Sequence, residues 1–560
     1  MAFTINYDGT GIIAYADGTS DTSGGTWREL GGGTISFNPD VYLYGSGSIA
    51  SKYASKTGYT YIDGITPLNF STSGEYLYIL VNVLAPGPFD TLVNTPFNLV
   101  MGATTSTLRE YTIASKDDSN GWTGGWKSFV VDPSITSTIG SGNAITAIDT
   151  IGVWIDTNVS VRAESIFQSM IISANGITFT GSPTVAADGW KELALWCTDY
   201  TNRAFPFLEV RGKTYFMKGG IVVGNGSTAT VFSAQGNSIE CEETSFYNGT
   251  AWVSTMPATA NTITTTTNSS IDWTNVSITG YINNRLNINT SVGNASAFTG
   301  GSIKLLNTLT AKSTDVFNGV VMGTYNARTL GSEKYEACTF DGSSALTLGA
   351  TANFANNNTT NGTSGVISII TNDLSKVATC QFNSSGSNHG VELTSIGSGS
   401  MTWDCVTTGF DTGVTGSPVT PTNTGNEDIY VSATTGTLTI SVASGATIPS
   451  IRSAGATINV VAGQVTTTIT VRDIDTGNVI QGARVYLVGS GGALDGVTIF
   501  NTLTDVDGKV SDTRSLAVAQ DVIGRVRLNT SPNFYKTVPI SETISNISGL
   551  TLNVSMIPDI

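Results

Sequence analysis

The sequence predicts an all-β protein. Three observations carry that reading: the composition, the period of the apolar residues and the density of turn residues. Charged residues occupy 12% of the 560 positions, against ~25% in typical soluble domains, so Thr, Ser, Asn and Gly must supply the polar surface. Thr suits a pleated surface, and Gly and Asn accept the dihedrals of tight turns. Hardly any window repeats apolar residues at helical spacing, whereas alternation with period two recurs along the chain. The 63 glycines then punctuate short strands. A hydrophobic content of 40% suffices for large buried cores, and a chain of this length calls for about two to four domains.

Residues 1–180 read as the first domain. Runs such as "EYLYILVNVL", "FNLVMGA", "KSFVVD", "TIGVWIDT" and "IFQSMIIS" are separated by turn-rich segments, the spacing of an antiparallel sandwich. The succession "GWTGGWKSFVVDPS", "AIDTIGVWIDT", "ESIFQSMII" resembles the concanavalin-type jelly-roll module at the front of many tailed-phage structural proteins. An N-terminal jelly-roll sandwich is what this resemblance implies.

Residues 181–465 change texture. Short β segments, among them "GGIVVGN", "NSIECEETSF", "YEACTFDG", "ATCQFNSSG" and "MTWDCVTTGF", are broken by Gly, Asn and Ser turns. Cys338 and Cys380 stand 42 residues apart and Cys380 and Cys405 stand 25 apart, or roughly one coil of a solenoid per ~20–25 residues. The reading is a central right-handed parallel β-helix, whose inward side chains stack from coil to coil. Ala378, Cys380 and Phe382 would then share one inner face, as would Cys338 with Phe340 and Trp403 with Cys405. A small polarizable thiol fits a tight interior, and an aromatic ring fills a wider corner. An antiparallel sandwich with chance repeats is the rival. The segment from Asn426 to Gly463 would form the last coils or a cap over the open end.

Residues 466–560 form a further module. Val471, Asp473, Gly477, Gly482, Ala483 and Val485, followed by Thr504, Asp505, Asp507 and Gly508, resemble the seven-strand immunoglobulin-like domain of the transthyretin or carboxypeptidase-regulatory type. That resemblance implies a C-terminal Ig-like β-sandwich serving as spacer or adhesive module.

The net charge is −16. Phosphate-tracking surfaces need clustered Lys and Arg, so no nucleic-acid partner is expected. "MAFTINYDGTG" has neither a basic start nor an apolar core, and no apolar run has the length of a membrane span. Neither a secretory leader nor membrane insertion is therefore expected. Five cysteines without a CxxC pair point to buried free thiols rather than a disulfide framework or zinc site. No cofactor is expected.

Histidine-dependent catalysis would rest on His389 alone, and no GxSxG accompanies it. Paired carboxylates could serve glycoside cleavage; the candidates are Glu240, Glu242, Glu243, Asp272, Glu336, Asp341, Glu392 and Asp404. Nothing in the sequence pairs any two, and no catalytic residue is assigned. Asp505 and Asp507, in an alternating loop before Gly508, are weak calcium candidates, without the distal Glu of an EF-hand. Trp122, Trp126, Trp190 and Trp196 are candidates for stacking on sugar rings.

Together the resemblances imply a tailed-bacteriophage virion structural protein. The expected reading is non-enzymatic: a surface decoration, fibre or minor capsid component, assembled in the host cytoplasm and located in the virion. Its partners would be other capsid or tail proteins, further copies of itself in a homotrimer, and host surface glycan. The alternatives are a receptor-binding tail fibre or tailspike with glycan-binding or depolymerase activity, and a bacterial surface adhesin.

Overall fold

Alternation of apolar and polar side chains sets the strands, and the computed structural model shows where each apolar face goes. The structure describes residues 3–559 except 18–19, 23–24, 32–33, 41–46, 53–56, 84–96, 113–124, 157–163, 182–188, 206–207, 242–244, 251, 254–256, 258–259, 281–285, 326–327, 342–344, 364, 423, 517, 531–532 and 547. It is all-β. The longest helix among the described residues is Gly189–Thr198, and none is long and apolar enough to cross a membrane. The chain divides into two units, residues 1–326 and 327–560.

The first unit contains two sheets with a shared core. One runs Leu108–Thr112, Phe97–Gly102, Thr150–Asp156, Thr57–Asp63, Thr26–Leu30, all antiparallel. The other centres on Tyr76–Val83 between Gly125–Val131 and Glu164–Ala174. Ile79 and Val81 from one sheet meet Leu99, Met101, Ile151 and Val153 from the other in one buried cluster. The sandwich is not closed by residues 1–180 alone. Ser245–Tyr247, from far along the chain, adds a parallel strand to Gly125–Val131 and puts Tyr247 into the same core.

Beyond the sandwich the pairing becomes parallel. Gly176–Thr180 pairs with Gly220–Val223, which pairs with Thr262–Thr265, which pairs with Leu286–Asn289. A second ladder stacks Thr214–Met217, Ser238–Cys241, Ser277–Thr279 and Ser302–Thr310. A third stacks Thr230–Gln235, Ser269–Thr274, Ala297–Thr299 and Val316–Asn318. Register places Trp273, Phe298 and Phe317 above one another, with Phe298 and Phe317 parallel at 4.8 Å between ring centroids. Each such side chain, withdrawn from water, contributes ~1.5–3 kcal/mol.

Helix Gly189–Thr198 lies against Thr230–Gln235, the first strand of the third ladder. Trp190, Leu193 and Cys197 recur on its buried face, and Gly189 is required by close approach, since a Cβ there would stand 2.2 Å from the Ser233 carbonyl oxygen. The helix shields the interior side chains of that first strand.

The second unit begins with further parallel ladders. Thr339–Asp341, Thr359–Asn361, Gln381–Asn383 and Val406–Thr408 stack in register. Leu346, Ile369, Val391, Ile429 and Ile451 form the buried column of a second ladder. Ser400–Trp403, Thr437–Val442 and Thr457–Val461 form a third. Cys338, Phe340, Cys380, Phe382, Trp403 and Cys405 are all buried. Because Thr339, Thr359, Gln381 and Val406 are ladder partners, the residues just before them, Cys338, Asn358, Cys380 and Cys405, occupy equivalent places. Asn358 takes the ladder position that the cysteine spacing skips. Its Oδ1 accepts from the Cys338 amide at 2.8 Å, and its Nδ2 donates to the carbonyls of Tyr335 and Phe354. Ala378 departs from the expected inner strand face. It follows the 3₁₀ turn Leu374–Val377, and Val377 is buried in its place.

Among the described residues from Gln464 onward, seven strands form two sheets. Lys509–Ser515, Gln464–Asp473 and Leu550–Met556 make one; Thr498–Leu503, Arg484–Gly489, Gln520–Thr530 and Asn533–Ile544 make the other. Val465, Ile469 and Val471 meet Val485, Leu487 and Val526 between them.

Candidate functional site

His389, Glu427 and the five cysteines are buried. His389 is buried, its ring lies 5.1 Å from that of Tyr430, and Nδ1 stands 3.5 Å from Arg452 Nη2. Burial first, then the adjacent Arg452 charge, pushes its pKa down to about 4, so the imidazole is neutral at neutral pH and shielded from substrate. Arg452 lies over the Tyr430 ring at 3.9 Å and donates to the fully buried Glu427 at 3.3 Å. Burial would raise the Glu427 pKa, but hydrogen bonds from the Gly425 amide and Arg452 leave it lowered. Burial also pushes up the thiols of Cys197, Cys241, Cys405 and Cys380, the last to about 12, and a protonated thiol is a poor nucleophile.

No two of the described carboxylate candidates are ladder partners in these registers. Glu240 aligns with Phe216 and Thr279, Asp272 with Ser233 and Ala297, Asp341 with Asn361, and Glu392 with Ile370 and Tyr430. These registers bring no second carboxylate alongside. Glu336 pairs with Lys334 at 2.7 Å, and Asp404 sits where its carbonyl receives the Thr379 amide. Glu242 and Glu243 lie outside the described residues. Among the described residues no group of three or more His, Cys, Asp or Glu is placed to hold a metal ion. Asp505 Oδ1 accepts the amides of Asp507 and Lys509 within its own turn, and Asp507 is exposed beside it. Asp473 likewise accepts from Asp475, Thr476 and the Tyr535 hydroxyl.

The tryptophans separate sharply. Trp122 lies outside the described residues, and Trp126 is half-buried in the sandwich strand Gly125–Val131. Trp190 is a correction: at 2% exposure it packs on Tyr215, Phe232 and Trp273 with ring centroids 4.2, 5.2 and 5.8 Å away. A ring so enclosed presents no face to a sugar. Trp196, on the other side of the same helix, is half-buried and makes an edge contact with Tyr7 at 5.5 Å.

Trp196 lines an open cleft of about 360 Å³ with Ile5, Asn6, Tyr7, Gly9, Thr10, Gly11, Ile12 and Asn202. The strand Thr4–Asp8 is the outermost of its sheet, pairing with Gly176–Thr180. The helix closes the other side: the Phe3 amide donates to Glu192 at 2.9 Å, the Tyr7 hydroxyl donates to the Asn202 carbonyl, and Asn202 Nδ2 donates to the Trp196 carbonyl at 2.8 Å. Beneath the turn at Gly9, Glu75 Oε2 accepts from the Thr10 amide at 3.1 Å and from Ser173 Oγ at 2.6 Å. Burial, then the neighbouring Glu75 charge, raises the Asp8 pKa. The sequence reading found Trp196 but missed Tyr7, Asn6 and Asn202. Nearly two hundred residues (|i−j| = 195) separate Tyr7 from Asn202, and no local pattern links them.

The sequence matches no protein-family model, and no curated protein is significantly similar to it.

Proposed function

We propose that the chain is a non-enzymatic structural protein of a tailed-phage virion, displayed as a decoration, fibre or minor capsid component. In this reading the N-terminal sandwich is a concanavalin-like jelly roll, the parallel ladders are a right-handed β-helix and the last seven strands are an Ig-like module. Parallel strand ladders with buried inner columns are the observation that supports the proposal. Stacked coils gain stability with each added neighbour and need no disulfide, which suits a part that must endure outside the cell. The acidic exterior, with a net charge of −16, keeps crowded copies from sticking together. Homotrimers would bury lateral faces of the coils, and an Ig-like module would make weak, repeated contacts strengthened by avidity.

Gold labelling of the C-terminal module on purified particles tests this. Labels over the head support decoration, and labels confined to the tail support a receptor-binding fibre. Particles that carry no label overturn the virion reading. The Tyr7–Trp196 cleft favours the second reading, a fibre or tailspike that touches glycan. Its depolymerase form requires that incubation with host polysaccharide shorten the polymer.

A further inference from the structure

We propose that the cleft between the strand Thr4–Asp8 and the segment Trp196–Asn202 binds a neutral saccharide of one or two rings. The inference deepens the glycan-contact reading but does not rest on the virion assignment.

Shape and size come first. A cleft of about 360 Å³ is at the lower end of the ~300–1,000 Å³ typical of ligand sites, too small for a long polymer and sufficient for a short one. Its walls combine two kinds of surface. Trp196, Tyr7, Ile5 and Ile12 supply apolar area, and the half-buried indole can lie against the C–H face of a pyranose. Asn6 and Asn202 supply amide groups, which both donate and accept, as sugar hydroxyls do. Nδ2 of Asn202 is committed to the Trp196 carbonyl, which fixes the side chain and aims its amide. Asn202 Oδ1 has no partner among the described residues.

The charge argument selects among sugars. No Lys or Arg lines the cleft, while Asp8 and Glu75 stand behind the Gly9–Thr10 turn. A sialylated or phosphorylated ligand would therefore meet repulsion with nothing to offset it, and a neutral sugar would not. The walls are also held rigidly before any ligand arrives, by the Phe3–Glu192 and Tyr7–Asn202 bonds across the two sides. Preorganisation of this kind reduces the ordering cost of binding.

The test uses the full chain with mannose, N-acetylglucosamine and their short oligomers as probes, and a sialylated trisaccharide as the anionic control, read by saturation-transfer NMR and calorimetry. Saturable binding of a neutral probe with Kd of ~1 mM or tighter is expected. Thr10→Arg, at an exposed position on the cleft wall, should weaken it at least tenfold with an unchanged melting temperature. Trp196→Ala should do the same, and Trp126→Ala should not. The proposal is overturned if no neutral probe binds saturably at ~10 mM, if Thr10→Arg binds like the parent, or if the sialylated probe binds more tightly. Particle labelling is unaffected by any of these outcomes, so failure here and failure of the virion reading are distinguishable.

Discussion

His389 shows how much of this chain's titratable chemistry is structural. Its pKa falls from 6.5 to about 4 on folding because burial and Arg452 both oppose the charged form, with Glu427 opposing them weakly. A group whose folded pKa is depressed takes up protons more readily when unfolded. Its stabilising contribution is thus complete above pH ~6.5 and is lost as the pH falls toward ~4. At ~1.4 kcal/mol per pH unit over that window the loss has an upper bound of roughly 3 kcal/mol, which solvent screening reduces. Denaturant melts of the second unit at stepped pH should show this slope, and His389→Asn should flatten it. An unchanged slope in the variant would return the acid sensitivity to the carboxylates. Asn358 makes the complementary point about legibility. Cysteine spacing marked Cys338, Cys380 and Cys405, but an asparagine in an Asn-rich run gives no sign of being buried. Only the three hydrogen bonds that it makes inside the coil reveal its place.

At the scale of elements, the chain turns into the strands of this ladder at residues with left-handed backbone. Ala337, Asn357 and Thr379 have φ of 50°, 56° and 63°, and each precedes one of the stacked residues Cys338, Asn358 and Cys380. Asn tolerates that region, whereas Ala and Thr pay ~1–2 kcal/mol for it. The corner is held nonetheless by ladder bonds, among them Ala337 N to Asn356 O at 2.8 Å and Thr379 N to Asp404 O at 2.6 Å. Ala337→Gly should therefore stabilise the second unit by up to ~1 kcal/mol, after the entropic cost of glycine. A lower melting temperature in that variant would mean that the corner is unstrained. The same corners explain why Ala378 left the expected strand face: the chain enters the corner from a 3₁₀ turn rather than from a strand. Helix Gly189–Thr198 was the element least expected of an all-β sequence, although Trp190, Leu193 and Cys197 at helical spacing were its available signal.

For the molecule as a whole, the five cysteines report on both units. Cys197 and Cys241 are buried in the first, and Cys338, Cys380 and Cys405 in the second. A thiol reagent applied to the native protein should modify them only through opening of the surrounding coils, and so orders of magnitude more slowly than in denaturant. Rapid modification of Cys338, Cys380 or Cys405 without denaturant would remove the stacked interior and the main support of the proposed function. The expected edge at residue 180 is crossed twice, by Gly176–Thr180 pairing with Gly220–Val223 and by Ser245–Tyr247 joining the sandwich. Pairing between distant strands depends on three-dimensional register, and no local window encodes it.

The sequence by itself determined that the protein would be all-β, that its thiols would be buried and that turns would recur at coil spacing. Those properties are local: alternation, side-chain size and the dihedral freedom of Gly and Asn act over a few residues. The tertiary structure alone decided which tryptophan meets solvent, which polar residue enters the cysteine column and which distant segments form the cleft. Trp190 and Trp196 are six residues apart on one short helix, yet helical rotation puts one against an aromatic core and the other beside Tyr7. Burial is a property of the packed surroundings, and those surroundings come from strands well outside the helix's own stretch of sequence.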